Sequence, residues 1–106
     1  MIKRPSTPEA YVNLMKQAMF EIEELRAAIE YDSEGMQDSL LFIDDLEHAI
    51  KKVYDSMVDG SYHFQDKDLP FMEIVRQHGL FSLPFRDLLS LINDTHRKGL
   101  LIEEEN

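Results

Sequence analysis

Residues 11–57 read YVNLMKQAMFEIEELRAAIEYDSEGMQDSLLFIDDLEHAIKKVYDSM, and their periodicity decides the fold. Met15, Ile22, Ile29, Met36, Ile43, Ile50 and Met57 recur at a spacing of seven, and each is apolar. A repeat of that length keeps one seam of a helix facing a partner helix. The second seam position holds Tyr11, Ala18, Leu25, Asp32, Ser39, Leu46 and Val53. Only Asp32 and Ser39 break its apolar character, so the seam is weakest between residues 31 and 39. Asp32-Ser33-Glu34-Gly35 carries turn chemistry there, because Asp and Ser compete for backbone hydrogen bonds and Gly is conformationally free. The expected structure is all-α: a long antiparallel helical hairpin, about 8–31 and 34–58, packed with two shorter helices in a four-helix bundle-like arrangement. The competing reading is one helix from 8 to 58. That costs only about 1 kcal/mol at Gly35 but gives a rod about 75 Å long that needs a partner chain.

Outward from this stretch, Thr7-Pro8-Glu9 is a helix start. Thr7 caps, Pro8 suits the first helical position and Glu9 favours the positive end of the helix dipole. Gly60 is a natural stop. In the loop at 60–68, Tyr62 and Phe64 alternate with polar residues, as expected of a short extended piece pinned to the core. Asp68-Leu-Pro-Phe-Met-Glu-Ile-Val75 and Ser82-Leu-Pro-Phe-Arg-Asp-Leu-Leu89 then share a pattern at an offset of fourteen. Each resembles a helix opening, with Asp68 or Ser82 as cap and proline in the first turn. They place the shorter helices at about 69–78 and 83–98, stopped by Gly79 and Gly99. Residues 1–6 and 103–106 are expected to be loose ends of a single domain spanning 1–106.

Composition narrows function. The 106 residues carry a formal charge of −10, with six Lys/Arg against thirteen Asp/Glu up to residue 59 and five against eight after it. Neither part offers a basic field, which disfavours nucleic acid and anionic membrane as partners. Cysteine is absent, removing disulfides, thiol nucleophiles and cysteine metal sites. No stretch has the length and apolarity of a membrane span, and the first residues lack the apolar run of a secretory signal. A cytoplasmic location is the default expectation.

Four constellations bear on chemistry. A di-iron bundle uses Glu-x-x-His pairs that point inward. Asp45-Leu-Glu-His48 offers Asp-x-x-His, with Glu21 and Glu24 on the first helix, but Asp45, His48 and Glu24 fall away from the seam. Only Glu21 and Glu47 border it. Asp44, Asp45 and His48 share a face suited to adventitious zinc. A helix-turn-helix reading would use Arg86, Asn93, His96, Arg97 and Lys98, in an acidic domain. The histidines at 48, 63, 78 and 96 are scattered, and no serine sits in a Gly-x-Ser-x-Gly elbow. No catalytic, cofactor or metal site is expected.

The fourth constellation is a binding surface. Methionines are adaptable side chains that serve both cores and helix-binding grooves. Two short helices cannot cover two long ones along their whole length. Met15, Met19, Met36, Leu40, Tyr54 and Met57 are therefore the expected partner-facing residues. The expected function is a non-catalytic interaction or assembly module, self-associating as a homodimer or binding a helix or basic segment of a partner protein. The alternative is a small helical metal-dependent enzyme with carboxylate and histidine ligands.

Overall fold

The computed structural model describes residues 3–31, 37–78 and 83–101, with side chains from residue 42 onward in the second stretch. Every regular element within these residues is helical: α1 (Pro8–Tyr31), α2 (Gln37–Asp59), α3 (Met72–Gln77) and α4 (Arg86–Lys98). The first two form an antiparallel hairpin. Arg26, late in α1, reaches Asp44 and Glu47, early in α2, whereas Val12 and Met57 from the opposite ends line one groove. The rod is thereby excluded. The intended turn, Asp32-Ser33-Glu34-Gly35, lies outside the described residues, as does the expected start of the second helix at 34.

The heptad register holds wherever side chains are described. Met15, Ile22, Ile29, Ile43 and Ile50 are buried, as are Tyr11, Ala18, Leu46 and Val53. Met57 and Leu25 are half-buried against this core. At the helix start, the Ala10 N–H donates to Thr7 Oγ1 at 3.1 Å. Replacing Thr7 with alanine frees that donor and should cost about 1 kcal/mol. In a domain of this size that lowers the melting temperature by about 4–8 °C, readable by differential scanning calorimetry.

Both shorter helices begin later than expected. The Leu-Pro-Phe segments form a turn of their own before each helix. Met72 N–H donates to Leu69 O at 3.0 Å and Arg86 N–H to Leu83 O at 3.1 Å. One turn on, Val75 N–H donates to Phe71 O and Leu89 N–H to Phe85 O. In both copies Leu and Phe are buried and Pro is exposed. The repeat is thus a repeated way of entering a helix. Its capping residue behaves otherwise: the residue before each helix is a phenylalanine with no side-chain cap, and Asp68 spends its carboxylate elsewhere. Ser82 and the expected stop at Gly79 lie outside the described residues.

α1 packs against both α2 and α4, and α3 packs against α4. This makes α4 the wedge of the bundle. Leu88, Leu89, Leu91, Ile92, Asn93, Thr95 and His96 are all buried, so α4 is covered nearly all round. The arm at 3–6, expected to be loose, is tied down. Pro5 is buried, Leu101 N–H donates to Pro5 O at 2.9 Å, and Arg4 Nη1 donates to Gly99 O at 3.3 Å. Residues 1, 2 and 102–106 lie outside the described residues.

Candidate docking site

At the open end of the hairpin, the loop that leaves α2 folds back over the junction of α1 and α4. Gly60 turns the chain with φ +84°, a conformation L side chains rarely adopt. Ser61 then donates its N–H to Asp59 Oδ1 at 2.8 Å, and its hydroxyl donates to the same oxygen, which holds the Asp59 carboxyl below its usual range. The strap that follows, residues 60–66, is pinned at three points. Tyr62 N–H donates to Ser56 O at 3.0 Å, Gln65 N–H donates to His96 O at 3.2 Å, and Asp66 accepts from Arg97 Nε at 3.2 Å.

Its central fastening is a chain of side chains. The Tyr62 hydroxyl lies 2.6 Å from His96 Nδ1 and 2.8 Å from the Tyr11 hydroxyl, which donates to Ile92 O at 3.1 Å. Proton bookkeeping gives the chain one direction. A backbone carbonyl only accepts, so the single Tyr11 proton goes to Ile92 O. Tyr62 then donates to Tyr11, and His96 Nδ1–H donates to Tyr62. Only this pattern satisfies all three contacts, and it makes His96 the Nδ1–H tautomer. Burial raises the pKa of both phenols, so they stay protonated. Burial and the nearby Lys67 charge lower that of His96. Phe64 completes the cluster, stacked on Tyr11 at 5.7 Å between centroids and edge-on to Tyr62 at 5.3 Å.

Outside this cluster is an apolar groove of about 170 Å³, lined by Pro8, Val12, Met57, Gly60, Tyr62 and Phe64. Small-molecule pockets commonly measure about 300–1,000 Å³. The groove is smaller and open, with room for one large side chain. Phe64 remains 44% exposed at its edge, and Val58, one residue past Met57, remains 66% exposed.

The expected partner-facing residues divide. Met57 lines this groove. Tyr54 is half-buried against the core, and Met19 lines a separate shallow depression with Ile22, Glu23, Glu47 and Lys51. Met15 is fully buried, at 0% exposure, because the seam that selected it is the interior of the hairpin itself. Met36 and the side chain of Leu40 lie outside the described residues. Pro8, Val12 and Phe64 carried no register signal of a shared site, since α1 and the strap meet only in the fold.

Several of the polar residues weighed for other chemistry take structural partners. Of those considered for a metal site, Asp44 and Glu47 are bound by Arg26, while Glu24, Asp45 and His48 lie exposed on the surface. Among the described residues, no three His, Asp or Glu side chains are grouped so as to hold a metal ion. On α4, Asn93 Oδ1 accepts from Leu69 N–H at 2.8 Å and its amide donates to Asp68 Oδ1 at 3.0 Å. Asp68 also binds Arg76 and Arg97, and this clamp, Asn93 foremost, lowers its pKa. Arg86 Nε donates to Val75 O at 3.3 Å. Of the side chains weighed for nucleic-acid contact, all but Lys98 make contacts within the fold. No helix of the described residues is long and apolar enough to cross a membrane.

No protein-family model, curated protein or solved structure matches this chain.

Proposed function

We propose that the protein is a non-catalytic docking module whose groove takes one apolar side chain from a basic segment of a partner protein. The observation that carries this is the groove itself: an open apolar surface lined by Val12, Met57 and Phe64, with Val58 exposed close by in the chain. Burying one aliphatic or aromatic anchor there contributes about 1.5–3 kcal/mol. Charge supplies the remaining selectivity. A chain of net charge −10 attracts Lys- and Arg-rich segments and repels acidic ones, mainly by raising association rates. The reading thus joins an anchor pocket for affinity to an acidic field for partner choice.

A peptide-display selection on the immobilised protein tests it. Enriched sequences are expected to carry one large apolar residue flanked by Lys or Arg. Phe64→Glu should weaken them at least tenfold. Tyr31→Ser, a change at a side chain 93% exposed at the far end of α1, should leave binding unchanged. Failure to enrich such sequences, or binding indifferent to Phe64→Glu, overturns the reading. So does a dimer that survives dilution from micromolar to nanomolar in native mass spectrometry and is broken by Phe64→Glu, because a second copy would then occupy the groove.

A further inference from the structure

We infer that the outer face of α1 is a self-association surface, on which a second copy of this chain docks antiparallel about a two-fold axis through Phe20. Phe20 is 57% exposed, next to the midpoint of the 24-residue helix Pro8–Tyr31. Asn13 and Ala27 continue its line along the helix, and both are exposed. This line is the heptad position farthest from the buried seam, so neither the core nor α2 can cover it. It is also separate from the groove, since none of the three residues lines it.

The charges beside Phe20 name the occupant. Lys16 lies one turn before it and Glu24 one turn after, both exposed. Among the described residues neither forms an ion pair. Eight residues separate them, about 12 Å along the helix, too far to pair with each other. A two-fold axis at Phe20 sets each residue opposite the one equally far on the other side. Phe20 then packs on Phe20 of the second copy. Lys16 meets Glu24 and Glu24 meets Lys16, which gives two ion pairs. Gln17 faces Glu23, and Asn13 faces Ala27. No like charges stand opposite each other.

Neighbouring registers lack this match. An axis one turn earlier sets Lys16 on Lys16, and one turn later Glu24 on Glu24. A parallel pairing does both at once. The Phe20 axis also lets the two helices overlap along nearly all of their length, about 36 Å. One helix pair is nonetheless a small interface, and small interfaces are transient. Two chains of charge −10 also repel. At about 0.15 M salt the screening length of about 8 Å mutes that repulsion while the facing pairs stay in contact. The expected dissociation constant is on the order of 100 μM. Such a dimer leaves both grooves open, so it extends the docking reading to a two-site assembly without depending on it.

Sedimentation equilibrium of the full chain, from about 5 to about 500 μM in about 0.15 M salt, tests the surface. The positions changed are all exposed, so the fold is kept, which circular dichroism checks. Phe20→Gln should weaken the dimer at least about tenfold. Lys16→Glu and Glu24→Lys should each weaken it about tenfold, because each turns both ion pairs into like-charge contacts. The double variant Lys16→Glu/Glu24→Lys should restore it, with the pairs reversed. These variants separate facing pairs from overall charge. Lys16→Glu takes the chain from −10 to −12 and Glu24→Lys takes it to −8. Overall repulsion alone therefore makes the Glu24→Lys dimer tighter, whereas the facing pairs make it weaker.

A chain that stays monomeric at the highest concentration overturns the inference. So does a dimer indifferent to Phe20→Gln, one tightened by Glu24→Lys, or one dissociated by Phe64→Glu.

Discussion

Ile50→Asp is expected to abolish the fold. Ile50 has 0% exposure and sits on the seam between α1 and α2. The substitution removes about 1.5–3 kcal/mol of side-chain burial. It also sets a carboxylate at a fully buried position in the apolar core, an effective penalty of several kcal/mol. Domains of this kind have about 5–15 kcal/mol of total stability, so the sum consumes most or all of it. Far-UV circular dichroism should show the helical signal lost and no cooperative melt. Ile50→Val, which trims one methylene, should cost only about 0.5–1.5 kcal/mol and melt cooperatively. A native spectrum for Ile50→Asp would mean that the seam does not carry the fold.

The second large effect concerns a polar residue. Asn93→Leu preserves bulk at a position 5% exposed but removes both hydrogen bonds of the amide. The Leu69 N–H, held at 2.8 Å, then has no acceptor, and an unpaired buried donor costs about 1–3 kcal/mol. Asp68 also loses the neutral donor that lies 3.0 Å from its Oδ1. A thermal melt should fall by about 4–8 °C for each kcal/mol. Asn93→Asp is a sharper test of the same contact. It keeps an acceptor for Leu69 and brings a second carboxylate against Asp68, so its loss should grow as pH rises through the carboxylate range. Equal stability for wild type and Asn93→Leu would show that Asn93 is packing alone.

These two positions mark what was legible in the sequence and what was not. Ile50 was visible because burial of one helix seam imposes a period, and a period can be read locally. The same reasoning found the hairpin, the Thr7 cap and the Leu-Pro-Phe entries. Asn93 and His96 were invisible as core because their partners, Asp68 and Tyr62, lie 25 and 34 residues away in the chain. A polar side chain on a helix looks like a solvent face until the fold supplies its partner. Asp68 was misread as a helix cap for the complementary reason: a carboxylate before a helix usually caps it, and here Asn93, Arg76 and Arg97 compete more strongly. Of the candidate site, Met57 was found through its seam position. Pro8, Val12 and Phe64 join it only because the strap crosses back over α1.

The wedge position of α4 also bears on how the chain acquires its structure during synthesis. α1 and α2 are neighbours in sequence and can pair as soon as both have left the ribosome. The other face of α1 must wait for α4, since Tyr11 meets Ile92 across 81 residues of chain. Ile92 follows the end of α2 at Asp59 by 33 residues, so at about 5–20 residues per second the finished hairpin waits roughly 2–7 seconds. Through that interval Tyr11 and the α1 surface that later meets α4 stand open on a nascent hairpin. Slow codons placed between α2 and α4 would lengthen this exposure, and with it the opportunity for chaperone capture or mispairing of unfinished chains.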